Sequence, residues 1–195
     1  MVAATTSDSA GDQVLTFRQL DLADVEWFVG IRNMVRESLH DPRAFTASDA
    51  RGWFLRTRPD LRVIERAGVP VGYFRIGPLD ADDNSLWIGA DLDPAFHGQG
   101  IASRAYWQFM PELIDEFRVE ALVLRVRPWN IPAMRLYRRL GFVTTAVEVG
   151  ATDARGGAAP LTDIAMRWAP GASGGAATPA DAVDLILASV TEGAA

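Results

Sequence analysis

The chain has 195 residues, 49% of them apolar and 23% charged, and a formal net charge of -6. That length supports one domain with its own core, and the negative balance argues against nucleic acid as a partner, because phosphate backbones are held by clustered positive charge. All 19 basic residues are arginine, cysteine is absent, and the only histidines are His40 and His97; this excludes lysine Schiff bases, disulfides, thiolate nucleophiles and a histidine-rich metal centre, so no metal is expected. No apolar run approaches the roughly 18 residues of a membrane span and the N-terminus lacks the features of a signal peptide, so a cytoplasmic protein without a membrane partner is expected.

Residues 1–12 are small and polar and read as a disordered N-terminus. A first strand is predicted over Val14 to Leu20. Asp21 or Asp24 can cap a helix reaching about Leu39, whose inner face carries Trp27, Ile31, Met34, Val35 and Leu39 at three- and four-residue spacing. Pro42 ends it, and a second helix is predicted from Ser48 to about Arg56, with Ser48 as cap and Trp53 and Phe54 inward. Leu61 to Ala67 and Val71 to Ile76 form a hairpin around Ala67-Gly68-Val69-Pro70, a polar loop covers Gly77 to Ser85, and Leu86 to Leu92 completes a three-strand meander.

The next stretch carries the strongest chemical signal. The strand passes through Asp93-Pro94 into His97-Gly98-Gln99-Gly100 and directly into a helix opening at Ile101-Ala102. Two glycines allow a tight turn and a close ligand approach, and the first free N–H groups of the helix converge where the macrodipole also favours negative charge. This is a backbone cradle for a phosphate, extending from Gly98 to Ala102. The helix runs to about Phe117, with Pro111 predicting a kink or break near Gln108. Val119 to Val126 alternates apolar residues on both faces, as a central strand does. Asn130 caps a short helix, Ile131 to Leu140, which Gly141 stops. Phe142 to Val149 and Leu161 to Trp168 form a terminal hairpin with a long tip, and residues 170–195 read as a Gly/Ala-rich linker with a short C-terminal helix around Asp181 to Val190.

The order of elements, with two motifs, resembles the GNAT superfamily of acyl-CoA-dependent N-acetyltransferases over about Val14 to Trp168. The first motif is His97-Gly98-Gln99-Gly100-Ile101-Ala102, matching that family's pyrophosphate signature with His97 where the family has Arg or Gln. The second is Asn130 to Phe142, NIPAMRLYRRLGF, in which Asn130 caps the helix near the cofactor and Tyr137 occupies the position that offers a hydroxyl to the departing thiolate. The resemblance implies an α/β (α+β) GNAT fold over residues 13–169, with a mixed, mostly antiparallel sheet of six to seven strands flanked by about four helices. It implies acetyl-CoA as cofactor, held by Leu92, His97, Gly98, Gln99, Gly100, Ile101, Ala102, Asn130 and Tyr137.

For catalysis it implies Tyr137 as acid and a backbone N–H of Asp91 or Leu92 as donor to the thioester oxygen. Asp91, at the end of the strand beside the cofactor, is the first candidate for the base, followed by Asp93 and Glu26. The segment holding Arg32, Asn33, Arg36, His40, Arg43, Phe45 and Trp53 resembles the acceptor entry of the branch that modifies amino sugars and the N-termini of ribosomal proteins, so Arg32, Arg36 and Trp53 are expected at the substrate. The expected reaction is acetyl transfer to a primary amine of a small molecule, an amino sugar or related metabolite. The rivals are a protein N-terminal acetyltransferase and a non-catalytic acyl-CoA-binding sensor. A homodimer contact, if formed, is expected at the terminal hairpin or the tail after Pro170.

Overall fold

The computed structural model describes residues 14–149 and 162–171. The expected N-terminal segment, the hairpin tip and the segment beyond 171, with the dimer contact sought there, lie outside the described residues. The elements in chain order are β1 (Leu15–Gln19), α1 (Val25–Met34), α2 (Ala47–Thr57), β2 (Asp60–Arg66), β3 (Val69–Asp80), β4 (Ser85–Leu92), α3 (Ile101–Phe117), β5 (Ala121–Val126), α4 (Ile131–Arg139), β6 (Val143–Val149) and β7 (Thr162–Trp168). The seven strands form one sheet in the order β1-β2-β3-β4-β5-β7-β6.

Local chemistry explains the antiparallel first half. Arg66 pairs with Val69, so only Ala67 and Gly68 turn the chain, and both take positive φ (51° and 76°), as the tightest hairpin turns require. β4 and β5 run parallel, which demands a crossover, and α3 supplies it. On the α3 face, Phe74, Tyr106, Phe109, Leu113, Ile88 and Leu122 are almost fully buried, with Phe109 stacked on Phe17 at a ring distance of 4.7 Å and tilted against Phe74 at 4.8 Å. On the other face, Leu61, Val63 and Tyr73 pack beneath Val25, Phe28 and Ile31 of α1 and Ala50 of α2.

Four expectations are corrected. The first helix stops at Met34 rather than Leu39, and a single 3-10 turn, Arg36–Ser38, follows. The chain is drawn back there by α1 itself: Arg32 donates to the Asp41 carbonyl at 2.7 Å, and Asn33 exchanges hydrogen bonds with the backbone of Phe45 at 2.8 and 3.0 Å. The cap of α2 is Thr46, not Ser48, because Thr46 and Asp49 close a reciprocal capping box. Asp24 makes no side-chain cap but grips Arg18 at 2.6 and 2.8 Å. Finally, α3 runs unbroken through Pro111. Pro111 lies on the solvent side, as does Trp107, whose carbonyl loses the helical donor, so water can satisfy that group.

The feature that positions the site is where the sheet opens. β4 and β5 pair only over Ser85–Trp87 with Ala121–Val123, although β4 continues to Leu92 and β5 to Val126. Beyond Trp87 the two strands part. Phe109→Ala, which empties the junction of β1, β3 and α3, should reduce stability by about 3–5 kcal/mol in urea unfolding. Thr46→Ala, which removes only a cap, should cost about 1 kcal/mol.

Candidate active site

The β4 edge facing the opening has no partner strand past Trp87, and register decides which of its groups point there. Asp93 N–H donates to the Val71 carbonyl at 3.0 Å, and Tyr73 pairs with Asp91. By alternation, Asp91 turns its backbone groups toward β3, while Ala90 and Leu92 turn theirs into the opening. The Leu92 carbonyl is met there by His97 Nε2 at 3.1 Å. Of the two N–H groups the sequence offered, the register therefore selects Leu92.

At the next step along the chain, Gly98 and Gly100 take φ of 74° and 72°, a conformation other residues adopt only with strain. A Cβ at Gly98 would meet nothing within 4 Å, so the turn needs glycine there for its dihedral and not for space. Gly100 stands at the N-cap of α3 without a side-chain cap, and the first helical bond is Arg104 N–H to Gly100 O at 3.1 Å. The N–H groups of Ile101, Ala102 and Ser103 are left at the helix mouth, beside the positive end of a 17-residue helix. Gln99 braces the turn instead of lining it: it accepts from Arg66 at 2.8 Å and donates to Ala95 O at 3.2 Å.

The inner end of the opening is aromatic and polar at once. The Asn130 side chain caps α4 through Ala133 N at 3.3 Å, and the helix then carries Tyr137 inward, 8% exposed, with its ring 5.7 Å from that of Tyr106. Burial raises the pKa of Tyr137 above the usual phenol range, so it stays protonated through neutral pH. Burial does the same to Tyr106 and Tyr73. Their hydroxyls approach Tyr137 and Asp91 respectively, yet neither has a well-aligned hydrogen bond. Orphaned polar atoms of this kind are rare in a core and gather at functional clefts.

Asp91 is itself buried, and Arg75 holds it, with Nε 3.1 Å from Oδ2 and Nη2 3.4 Å from Oδ1. The guanidinium lies 5.3 Å from the Trp87 ring, and a Cβ at Gly89 would come within 3.0 Å of its Nη2, so the strand provides the bed on which Arg75 rests.

The end of β4, the glycine turn, the mouth of α3, Tyr106 and α4 share one cleft of about 1040 Å³, with Arg75 behind Asp91. Of the residues predicted from sequence, Asp91, Leu92, His97, Gly98, Gly100, Ile101, Ala102, Asn130 and Tyr137 line it, and Gln99 does not. Arg32, Arg36 and Trp53 stand elsewhere. Arg32 staples the 41–45 segment and lies 4.2 Å from the Phe45 ring centre; Arg36 makes a surface pair with Glu37 at 3.2 Å; Trp53 stacks on Phe28 at 6.0 Å. Sequence reasoning missed Arg75, Tyr106 and the arginines of α4. Arg135, Arg138 and Arg139 line the cleft and pair with no carboxylate among the described residues, and the Arg138-Arg139 doublet in the last turn was a readable signal.

A family model described as the Acetyltransferase (GNAT) family matches residues 26–142, more than half of the chain. The chain belongs to the GNAT acetyltransferase family. Among curated proteins none matches significantly. Solved structures share the fold: yncA of Salmonella typhimurium with its cofactor acetyl-CoA (23% identity, TM-score 0.59, 80% of this chain and 93% of that one) is one. A variant of spermidine N-acetyltransferase SpeG of Vibrio cholerae (16%, 0.68, 80% and 93%) and the ribosomal-protein-alanine N-acetyltransferase of Brucella melitensis (23%, 0.60, 79% and 99%) are others.

The residues of this acetyltransferase fit an acyl-CoA. Uncapped N–H groups and arginines with no carboxylate partner among the described residues suit a pyrophosphate, and the free β4 edge suits an extended amide-bearing arm. No helix among the described residues is long and apolar enough to cross a membrane. Gly100→Val, with φ held at 72° and a branched side chain at the helix mouth, should weaken acetyl-CoA at least tenfold in calorimetry. Retained affinity in a folded variant would move the phosphate site away from this turn.

Proposed function

We propose that this acetyltransferase moves an acetyl group from acetyl-CoA to the primary amine of a small molecule, an amino sugar or a related metabolite, in a ternary complex in the cytoplasm. The observation that carries the reading is convergence: the glycine turn, the free Leu92 N–H and the Tyr137 hydroxyl open onto one cleft where β4 and β5 part. Acetyl-CoA supplies the activated acyl group, and the rest is done by residues of the chain.

The N–H groups at the start of α3 bind the anionic part of the cofactor, with Arg138 and Arg139 as cations within the same cleft. Leu92 N–H offers a hydrogen bond to the acyl oxygen as it gains charge. Tyr137 holds a proton in a buried phenol, ready for the sulfur, and Tyr106 beside it orients the ring. Asp91, bound to Arg75, organises the floor of the cleft; taking up a proton there means weakening a buried ion pair. Holding amine and thioester in line supplies the largest contribution, up to roughly 7–11 kcal/mol in favourable cases.

A small acceptor is favoured over a peptide by the segment that roofs the acceptor side. Val35 and Ser38 line the cleft, and Arg32 and Asn33 tie the following residues down to α1. A stapled roof narrows the entrance available to an extended chain.

The test is thiol release with acetyl-CoA over a panel of amino sugars, polyamines, amino acids and N-terminal peptides, beside calorimetry of acetyl-CoA alone. Turnover of small amines supports the proposal. Turnover of peptides alone makes the protein an N-terminal acetyltransferase, and binding with no turnover makes it a sensor. With the active amine, Tyr137→Phe should lower kcat about 100-fold and leave acetyl-CoA affinity within a factor of two. An unchanged kcat would make Tyr137 structural. In the wild type, any loss of rate from ionising Tyr137 should appear only above about pH 10, because burial raises its pKa above that ordinary value.

A further inference from the structure

The two histidines have different surroundings. His97 approaches the Leu92 carbonyl within the glycine turn. His40 lies two residues beyond Ser38, which lines the cleft, and its Nε2 is 3.1 Å from Asp163 Oδ2 on β7. Asp163 also faces Arg127, with Nη1 3.3 Å from Oδ1, and Arg127, only 3% exposed, donates from Nη2 to the His40 carbonyl at 3.3 Å. The register explains the meeting. Val126 pairs with Ile164, so Arg127 and Asp163 are the next opposed pair, on the sheet face that Arg75 also occupies.

We propose that His40 is the base that takes the proton from the attacking amine, with Asp163 as the positioning residue that sets its tautomer and Arg127 holding Asp163 in place. The inference rests on the acetyl-transfer reading above. When Nε2–H donates to Asp163, the Nδ1 lone pair is left to accept a proton; the carboxylate decides which nitrogen is free. The amine nitrogen forms its bond to the acyl carbon as the carbon–sulfur bond breaks. The N–H proton passes to His40 Nδ1 and the Tyr137 proton to the sulfur, and the imidazolium and phenolate then re-equilibrate with solvent.

The charges around His40 suit the role. Burial lowers its pKa from the ordinary value; Asp163 on β7 opposes this, while Arg127 just beyond β5, Arg75 on β3 and Arg125 on β5 add to it. The imidazole is therefore neutral at pH 7 and free to accept. Its side chain is 40% exposed, which leaves room for an acceptor and for a small rescue agent. Asp91, the carboxylate first expected in this role, is buried against Arg75.

The test measures kcat at saturating amine against pH for the wild type, His40→Ala, His40→Asn and Asp163→Asn, with acetyl-CoA affinity for each. The wild type should lose rate on the acid side with an apparent pKa below about 6.5, since a base works only when deprotonated. His40→Ala should fall about 100-fold at pH 7, keep its acetyl-CoA affinity and regain rate with added imidazole. His40→Asn, which can still donate to Asp163, should be equally slow. Asp163→Asn should move the acid limb to lower pH, because the charge that opposes the lowering is gone. A folded His40→Asn with wild-type kcat, or a His40→Ala that imidazole does not restore, overturns the assignment of the base while acetyl transfer stands. A wild type that acetylates no amine overturns the reading beneath it.

Discussion

The site depends on one constraint in the sheet: the parallel ladder between β4 and β5 closes for three residue pairs and then ends. Two strands held at one end and apart at the other expose the backbone of each along the opening, which a fully paired sheet would bury. The opening is stable because each strand is satisfied on its other side. β4 is paired with β3 along nearly its whole length and β5 with β7 over five pairs, so neither loses its place in the sheet. Exposed edges usually recruit another strand. Here the edge lies inside a cleft walled by α3 and α4, accessible to a thin extended ligand and shielded from a second chain.

That geometry also concentrates polar groups where a continuous sheet would have none. Arg75 and Asp91 sit on adjacent strands at the floor of the opening, with two tyrosine hydroxyls beside them that lack aligned partners. A buried ion pair contributes little net stability, since desolvation offsets most of its attraction. Removing one member is another matter, because the survivor is then a buried, unpaired charge. The pair is better understood as fixing orientation: Trp87 beneath the guanidinium and the absent side chain at Gly89 leave Arg75 one place to lie, and Arg75 then fixes Asp91.

Local chemistry made much of this legible. The stop at Gly141 and the glycine pair before α3 announce themselves through positive φ that few residues adopt, and Asn130 through its capping side chain; the hairpin expected around Ala67 to Pro70 turns on Ala67 and Gly68 alone. The α1–α2 segment and the sheet face beneath it were harder to read because their residues act at a distance in sequence. Arg32 looked like a substrate contact, but its partners are carbonyls nine and eleven residues further on, which no periodicity predicts. Ser48 lost its capping role to Thr46 because the capping box depends on Asp49 as well. Arg75, Arg127 and Asp163 carry no motif at all. They meet only because β3, β5 and β7 share a face, and strand order is a property of the whole chain.

The charge distribution joins these levels. The chain is acidic overall, yet the cleft carries Arg135, Arg138 and Arg139 on one short helix and the positive mouth of α3 on another, with no carboxylate paired to those arginines among the described residues. Surface anions elsewhere oppose long-range attraction of a polyanion, and within about 8–10 Å of screening the local cations decide. The local cations of the cleft thus suit an anionic ligand even though the chain as a whole is acidic. On the sheet face shared by β3, β5 and β7 the balance differs: Asp91 and Asp163 answer Arg75 and Arg127, so the charges there are already neutralised in pairs. A neutral amine, the form that attacks a thioester, loses less by entering such a region than a free cation would. Cationic groups thus gather on the α3 and α4 side of the opening, whereas on the sheet face shared by β3, β5 and β7 the charges stand in opposed pairs.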